Sequence, residues 1–513
     1  MPPALRSTAL VLLLALPWLW PFTSGPTAAT QLYLAGLGVA ALLLLAWPPD
    51  VDTGTRALRA GWLLAALASA VIALLQYFNL EAPLFPWVNQ AQVGQAFGNL
   101  RQPNQLATLL VIGLLALAAQ ARAGRLSARL AAALGVPLLT ALAATASRVG
   151  AVELLLLGAL CLWWARGSGQ LRRTGALLAA AWLVYALAAL ALPWALQVSE
   201  GQGGRDLIER LREGEGTCGS RLILWRNVLH LIALRPWTGW GWGELDWAHY
   251  MTLYDGARFC HILDNAHNLP LQLAVELGLP LALLACAALT WAVWRARPWA
   301  ERQPARQLAW GVLAAIGLHS LVEYPLWYAP FQIAVALCLW LLWATRRGAA
   351  PATSGLAPWR VAGAALLLAG AAYAGWDYHR ISQLYLPREQ RAAAYQDDTM
   401  GHARRSWLFA DAVRFAEVSS RPPTRDNAAW LLAAALQTLH YSPEPRVITR
   451  VIESASLLGR DELALAHLAR FRAAFPREYR QWSHDNRQLL EGAQAQLGQS
   501  ASAPQATGST TKK

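Results

Sequence analysis

The sequence predicts an all-α polytopic membrane protein of about eleven transmembrane helices, with a large loop on one membrane side and a helical C-terminal domain. Three observations predict it. Of 513 residues, 56% are hydrophobic and only 14% charged, whereas soluble globular chains carry about 25% charged residues. The deficit is concentrated in apolar runs such as 10–16, 61–75 and 366–372, each in a window able to cross a hydrocarbon core of ~30 Å. There are 26 tryptophans, whose indoles favour the membrane–water boundary. Trp18, Trp20, Trp47, Trp87, Trp163 and Trp164 fall near the ends of the apolar segments.

In chain order the spans read as 8–22, 30–48, 60–78, 104–121, 128–146, 149–165, 175–197, 268–294, 307–324, 327–344 and 360–377. Arginine is distributed unevenly between their connections. Arg6, Arg56, Arg59, Arg122, Arg125, Arg129, Arg166, Arg172, Arg173, Arg295, Arg297, Arg302, Arg306, Arg346, Arg347 and Arg360 occupy one alternate set. The other set of short connections holds only Arg101 and Arg148. The positive-inside rule puts the first set, and the N-terminus, in the cytoplasm. The loops 79–103 and 198–267, and everything after about 378, then face the opposite side. The first span is read as uncleaved, because Pro17, Trp18, Trp20 and Pro21 make a poor cleavage neighbourhood.

After the last span the chain becomes charged. Segments 403–417, 427–439, 445–458 and 461–475 carry apolar residues at spacings of three and four, the helical period. The paired helices resemble a tetratricopeptide-like stack, although no clean repeat of ~34 residues is present. The expected organisation is a membrane domain over 1–377 carrying the loop 198–267, a soluble helical domain over 378–490, and a disordered tail over 491–513, too polar to fold.

Composition excludes several functions. The net charge of +13 is explained by orientation of the spans, and no basic patch interleaved with aromatics marks a nucleic-acid surface. No Gly-rich GxxxxGK loop occurs, against an ATP-driven pump. Asp50-Val51-Asp52 has the form of a metal-holding D-x-D motif but stands alone on the cytoplasmic side. His249, Asp255, His261 and Asp264 lack tight zinc-ligand spacing. Of five cysteines, Cys161, Cys286 and Cys338 sit in apolar segments. Cys218 and Cys260 share the longest polar loop and are candidates for a disulfide if it lies outside the reducing cytoplasm.

Four polar clusters meet the membrane face opposite the arginine-rich one, where polar groups beside apolar helices are functional candidates. The first runs from Phe97 to Gln105 and holds Asn99, Arg101, Gln102, Pro103 and Asn104 at a helix start. Exposed amides there attract anions, and an Arg fork matches phosphate oxygens. The second is the short turn 145–150 with Arg148. The third is Asn265-Ala266-His267-Asn268-Leu269-Pro270, continuing through Gln272, Glu276 and Gly278, with Arg221 upstream as a further phosphate candidate. His267 precedes a helix whose positive end disfavours imidazolium, which suits a general base. The fourth is His319-Ser320-Leu321-Val322-Glu323-Tyr324-Pro325 with Tyr328, where His319 and Glu323 are expected on one helix face.

Together these clusters resemble bacterial protein O-oligosaccharyltransferases of the PglL type, within the O-antigen ligase and polymerase superfamily (Wzy/WaaL-like). Residues 99–104 look like the N-x-R-Q-P-N signature, 267–278 like the H-[SN]-x-x-L…E-x-G motif, and 319–328 like a segment of the protein-directed branch. The resemblance implies a GT-C-like enzyme of the bacterial inner membrane, with site and C-terminal domain in the periplasm. It implies transfer of an oligosaccharide from undecaprenyl pyrophosphate to Ser or Thr hydroxyls of a periplasmic or pilin-like acceptor, without cofactor, nucleotide or metal. In that reading His267 is the base, assisted by Tyr324 or Tyr328 and oriented by Glu276. Arg101, Arg148 and Arg221 neutralise the pyrophosphate, and Asn99, Gln102, Asn104, His319 and Glu323 contact donor or order the rim. An O-antigen ligase acting on lipid A core, an O-antigen polymerase, and a non-enzymatic lipid transporter are the alternatives. The tail, with Ser500, Ser502 and Thr507, resembles the low-complexity segments such enzymes modify.

Overall fold

The computed structural model describes residues 3–23, 26, 30–48, 50–167, 169–200, 218–346 and 357–487. The tail and residues 201–217 of the long loop lie outside them. The described residues form helices and no strand. The chain divides into two compact units. The first comprises Met1–Gly216, Arg235–Gly239 and Asn265–Ala410, and the second Thr217–Leu234, Trp240–Asp264 and Asp411–Lys513.

The first unit contains α1 (Pro3–Leu19), α2 (Thr30–Ala46), α3 (Val51–Tyr77), α4 (Pro103–Arg122), α5 (Ala128–Ala144), α6 (Arg148–Arg166) and α7 (Leu171–Glu200). In the second unit lie α8 (Arg221–Leu234) and α9 (Leu245–Met251). The first unit then resumes with α10 (Leu269–Leu277), α11 (Leu279–Ala296), α12 (Pro304–His319), α13 (Ala329–Ala344), α14 (Pro358–Ser382) and the short α15 (Thr399–Ala403). Five of these helices, α3, α4, α6, α7 and α11, are long and apolar enough to cross a membrane. α1, α2, α5 and α13 are apolar but shorter. In α4, 72% of the apolar window is buried, against 17% in α7 and 6% in α11. α4 is therefore the central helix, packed on α3, α5, α6 and α12. α7 and α11 present Leu183, Leu187, Leu190, Leu283, Leu284 and Leu289 outward, a surface suited to lipid rather than water. Close packing of α3 on α4 depends on Gly113, where a β-carbon would strike the Ala66 methyl; small residues let membrane helices approach.

Three elements differ from the sequence expectation. α3 begins nine residues earlier than expected, because Asp50 caps it by accepting the Asp52 and Thr53 amides. The D-x-D form is thus a helix cap, and the Thr53 hydroxyl and amide hold the Asp50 carboxyl below the usual carboxylate range. The span expected over 268–294 is two helices meeting at Gly278, whose φ of 81° and ψ of 161° only glycine adopts freely. Residues 236–239 cross this junction backbone to backbone, and the Leu279 amide donates to the Pro236 carbonyl at 2.8 Å. Finally, α12 stops at His319 rather than running to 324. His319 and Glu323 consequently do not share a helix face; Glu323 lies in the turn that follows.

The second unit has its own core. Val418, Leu431, Leu432, Val447, Val451 and Phe471 pack with Tyr250, drawn from α9 and from α16 (Ala410–Ser420), α17 (Ala428–Thr438), α18 (Pro445–Leu457) and α19 (Asp461–Ala474). Cys218 and Cys260 are joined by a disulfide. Both His249 ring nitrogens are engaged, with the Tyr254 hydroxyl at 2.8 Å and the Phe259 carbonyl at 3.2 Å. Among the described residues no three His, Cys, Asp or Glu side chains are placed to share a metal ion.

Candidate active site

The start of α4 is fixed by polar side chains. Gln102 caps the helix, its carbonyl accepting the Gln105 amide at 2.6 Å, and Pro103 takes the first turn, where no amide partner is needed. Asn99 is buried, and both its amide protons are spent on the Leu19 and Trp87 carbonyls at 2.8 and 2.9 Å while its oxygen accepts the Asn89 amide. Asn99 thus orders the rim with its amide protons already spent, whereas Gln102 engages its side-chain oxygen in the cap. Arg101 is exposed in a left-handed conformation (φ 60°) and donates to the Thr23 hydroxyl.

One turn into the site, Asn104 joins two other helices. Its amide donates to Glu323 Oε1 at 3.2 Å, and its oxygen accepts the Ser147 hydroxyl at 2.7 Å. Ser147 also caps α6 by accepting the Gly150 amide at 3.1 Å. Arg148, the next residue, is exposed at the head of α6. The other oxygen of Glu323, Oε2, lies 2.7 Å from Nδ1 of His267.

His267 is held from several sides. Its φ of 49° is left-handed, a conformation that a bulky residue keeps only when its surroundings impose it. The Asn265 carboxamide oxygen accepts its amide at 2.8 Å. Asn268 caps α10 by accepting the Leu271 amide and donates to the Leu321 carbonyl at 2.9 Å. The Leu269 amide donates to the Ser320 carbonyl at 2.8 Å. The histidine loop is therefore stapled to the turn after α12. Tyr324 packs edge-on against the imidazole with centroids 4.9 Å apart, and Tyr328 stacks on Tyr324.

This geometry fixes chemistry. Donation of Nδ1–H to a carboxylate leaves the lone pair on Nε2, the form that accepts a proton. The His267 side chain is 21% exposed while that of Glu323 is 8% exposed, so the imidazole meets its surroundings more than the carboxylate that holds it. The carboxylate against the ring is Glu323. Glu276, expected in that role, is buried within α10, one turn beyond Gln272, whose oxygen accepts the Ala266 amide at 2.6 Å. His319, expected on the donor, is fully buried. Arg221 opens α8 in the second unit, whereas Arg101 and Arg148 belong to the first.

Ser147 falls in the turn 145–150 that the sequence marks for Arg148, whereas Thr108 and Gln76 lie outside the four polar clusters. Gln76 is fully buried and holds the 89–98 loop through the Asn89 and Gly98 carbonyls and the Phe97 and Gly98 amides. Its signal was available: a glutamine inside an apolar span.

Three family matches cover these segments in chain order. Residues 96–119 match the protein glycosylation ligase family, 133–286 the O-antigen ligase family, and 307–490 the C-terminal region of virulence factor membrane-bound polymerases. A general O-oligosaccharyltransferase of Acinetobacter baylyi is 27% identical over 290 residues, 54% of this chain and 48% of that protein. A ComP-specific O-oligosaccharyltransferase of the same organism is 26% identical over 272 residues, 53% of this chain and 48% of that protein. The chain thus aligns with about half the length of these relatives. By these matches the chain is similar, segment by segment, to the protein glycosylation ligase and O-antigen ligase families, and over about half its length to two O-oligosaccharyltransferases.

Proposed function

We propose that this chain transfers an oligosaccharide en bloc from undecaprenyl pyrophosphate to Ser or Thr hydroxyls of periplasmic or pilin-like proteins. The observation that carries the reading is the chain His267–Glu323–Asn104–Ser147, which links one residue or more from each of the three matched segments. His267 Nε2 takes the acceptor hydroxyl proton as the oxygen bonds to the anomeric carbon. The carbon–oxygen bond to pyrophosphate breaks, and the leaving group departs with the bonding pair. Arg148, next to Ser147 in sequence, and Arg101, three residues before Asn104, are the groups to neutralise its developing charge. Glu323 holds the ring and stabilises the imidazolium; Tyr324 and Tyr328 wall the base. The energy of transfer resides in the donor linkage, so the reading requires neither nucleotide nor metal.

The same proposal has eleven spans, a cytoplasmic N-terminus, and both the site and the C-terminal helices in the periplasm of a bacterial inner membrane. It keeps the membrane domain over 1–377, with its loop 198–267, and a tetratricopeptide-like helical domain over 378–490. The match to the O-antigen ligase family favours one second reading, with lipid A core as acceptor. Co-expression with a lipid-linked glycan and a pilin, in a host lacking its own ligase, separates the two. A glycan-sized mass increment on the pilin supports protein transfer; glycan on lipid A alone replaces it with the second reading.

A further inference from the structure

Beneath the Asn104–Ser147–Glu323 layer the same helices bury a second polar layer. Thr108 lies one turn beyond Asn104 on α4, Glu153 projects from α6, and His319 ends α12. All three are 0% exposed. The Thr108 hydroxyl lies 2.7 Å from Glu153 Oε1, 2.8 Å from His319 Nδ1 and 3.2 Å from the Asn104 carbonyl. Glu153 Oε2 and His319 Nε2 have no hydrogen-bond partner among the described residues. Intramembrane groups of this kind are costly to keep, and nothing in the transfer chemistry above uses them.

A hydroxyl has one proton and cannot donate to both neighbours. If Thr108 donates to Glu153, then His319 Nδ1 must donate to Thr108. If Thr108 donates to His319, then Glu153 must donate to Thr108. If Thr108 donates to the Asn104 carbonyl, then both Glu153 and His319 Nδ1 must donate to Thr108. Every arrangement ties α6, α4 and α12 together through one oxygen, one helical turn from the residues that align His267. Loss of that tie frees α12 and the turn that carries Glu323.

We infer that Glu153, Thr108 and His319 are positioning residues for the His267–Glu323 pair, a buried brace that sets the register of three helices. His319 then acts through the helices and does not touch the donor. The inference rests on the proposed transfer reaction for its kinetic consequence, and on geometry alone for its spectroscopic one.

The test uses the full chain in nanodiscs with Thr108→Val, Thr108→Ser, Glu153→Leu and Glu153→Gln. Valine keeps the shape of threonine and removes the hydroxyl; serine restores it. Glutamine can donate to or accept from Thr108, so it serves every arrangement, and leucine serves none. With a lipid-pyrophosphate glycan donor, Thr108→Val and Glu153→Leu should lower kcat roughly tenfold or more while leaving the donor KM within about twofold, and the conservative variants should recover most of that loss. In ¹⁵N-imidazole spectra, which need no glycan, the Nδ1–H tautomer signal of His267 should weaken in Thr108→Val and persist in Thr108→Ser. An unchanged tautomer signal in Thr108→Val overturns the inference, even where Glu153→Leu fails to fold. A loss that falls on KM, or equal losses in valine and serine variants, also overturns it. Absence of transfer by the unaltered chain contradicts the proposed reaction and leaves the spectroscopic test standing.

Discussion

Replacing Glu323 by Gln removes one charge at nearly constant volume. Glu323 accepts at both oxygens, from Asn104 at 3.2 Å and from His267 at 2.7 Å. A carboxamide can satisfy only one of these as acceptor. If its oxygen keeps Asn104, its NH₂ faces His267 Nδ1, and the ring must present a lone pair there. The proton then sits on Nε2, the atom that should accept from the hydroxyl. If the amide turns the other way, donor faces donor at Asn104 and the link to Ser147 is strained. The same wrong-tautomer change in a Ser-His-Asp triad costs about 10⁴ in kcat, or about 5 kcal/mol at 1.36 kcal/mol per decade. We expect a loss of roughly 10³–10⁴ in kcat for glycan transfer at saturating donor and acceptor, with a small change in donor KM. The assay is in vitro transfer to an acceptor protein followed by intact mass. Retention of activity within about threefold would refute the orienting role of Glu323 and return Glu276 to consideration.

The second unit should be acid-sensitive in a defined window. Burial lowers His249 to about 3 and His467 to about 4, while burial raises Asp246 to about 7. Between about pH 4.5 and 6 the unfolded chain binds two protons that the folded histidines refuse, and the folded Asp246 binds one that the unfolded chain refuses. The net difference of about one proton makes stability fall by about 1.4 kcal/mol per pH unit on acidification; hydrogen exchange of α18 and α19 amides measures it. Asp246→Asn removes the opposing proton, so the slope should roughly double; an unchanged slope contradicts the assignment. Reduction of the Cys218–Cys260 bond, 42 residues apart, should cost about 4 kcal/mol in the chain-entropy picture, seen as protection lost in the same amides. Gly278→Ala should cost about 3 kcal/mol through its conformation alone, with a further clash on the Trp237 carbonyl; a full-chain melting midpoint unchanged in Gly278→Ala would contradict this.

Much of the site was legible because polar residues are rare in this chain and stand out where they cluster. The segments around Asn104, Arg148, His267 and Glu323 were all marked by that contrast. The pairings between them were not legible, since each depends on where helices stop. Nothing at Ser320 or Leu321 forbids helix, and the first strong breaker is Pro325, so the span expected to 324 runs five residues past the end of α12 at His319. That error put His319 and Glu323 on one face and left Glu276, the carboxylate nearer in sequence, as the partner of His267. Gly278 followed by Pro280 is a stop-and-start signal, but the apolar run on both sides masked it. For Asn99 and Gln102 the sequence leaves two roles open, ordering the rim or contacting donor, because capping and clasping residues have the same chemistry as binding residues; the fold shows the cap made by Gln102 and the clasp made by Asn99.

The central claim is that His267, aligned by Glu323, activates an acceptor hydroxyl against a lipid-pyrophosphate glycan. Its most direct test is transfer by the purified full chain in nanodiscs, with a defined undecaprenyl-pyrophosphate oligosaccharide and a Ser/Thr-bearing acceptor protein. The unaltered chain and His267→Ala would be read side by side by intact mass. The account predicts one glycan-sized increment with the unaltered chain and its loss with His267→Ala. An increment of equal rate in both would contradict it.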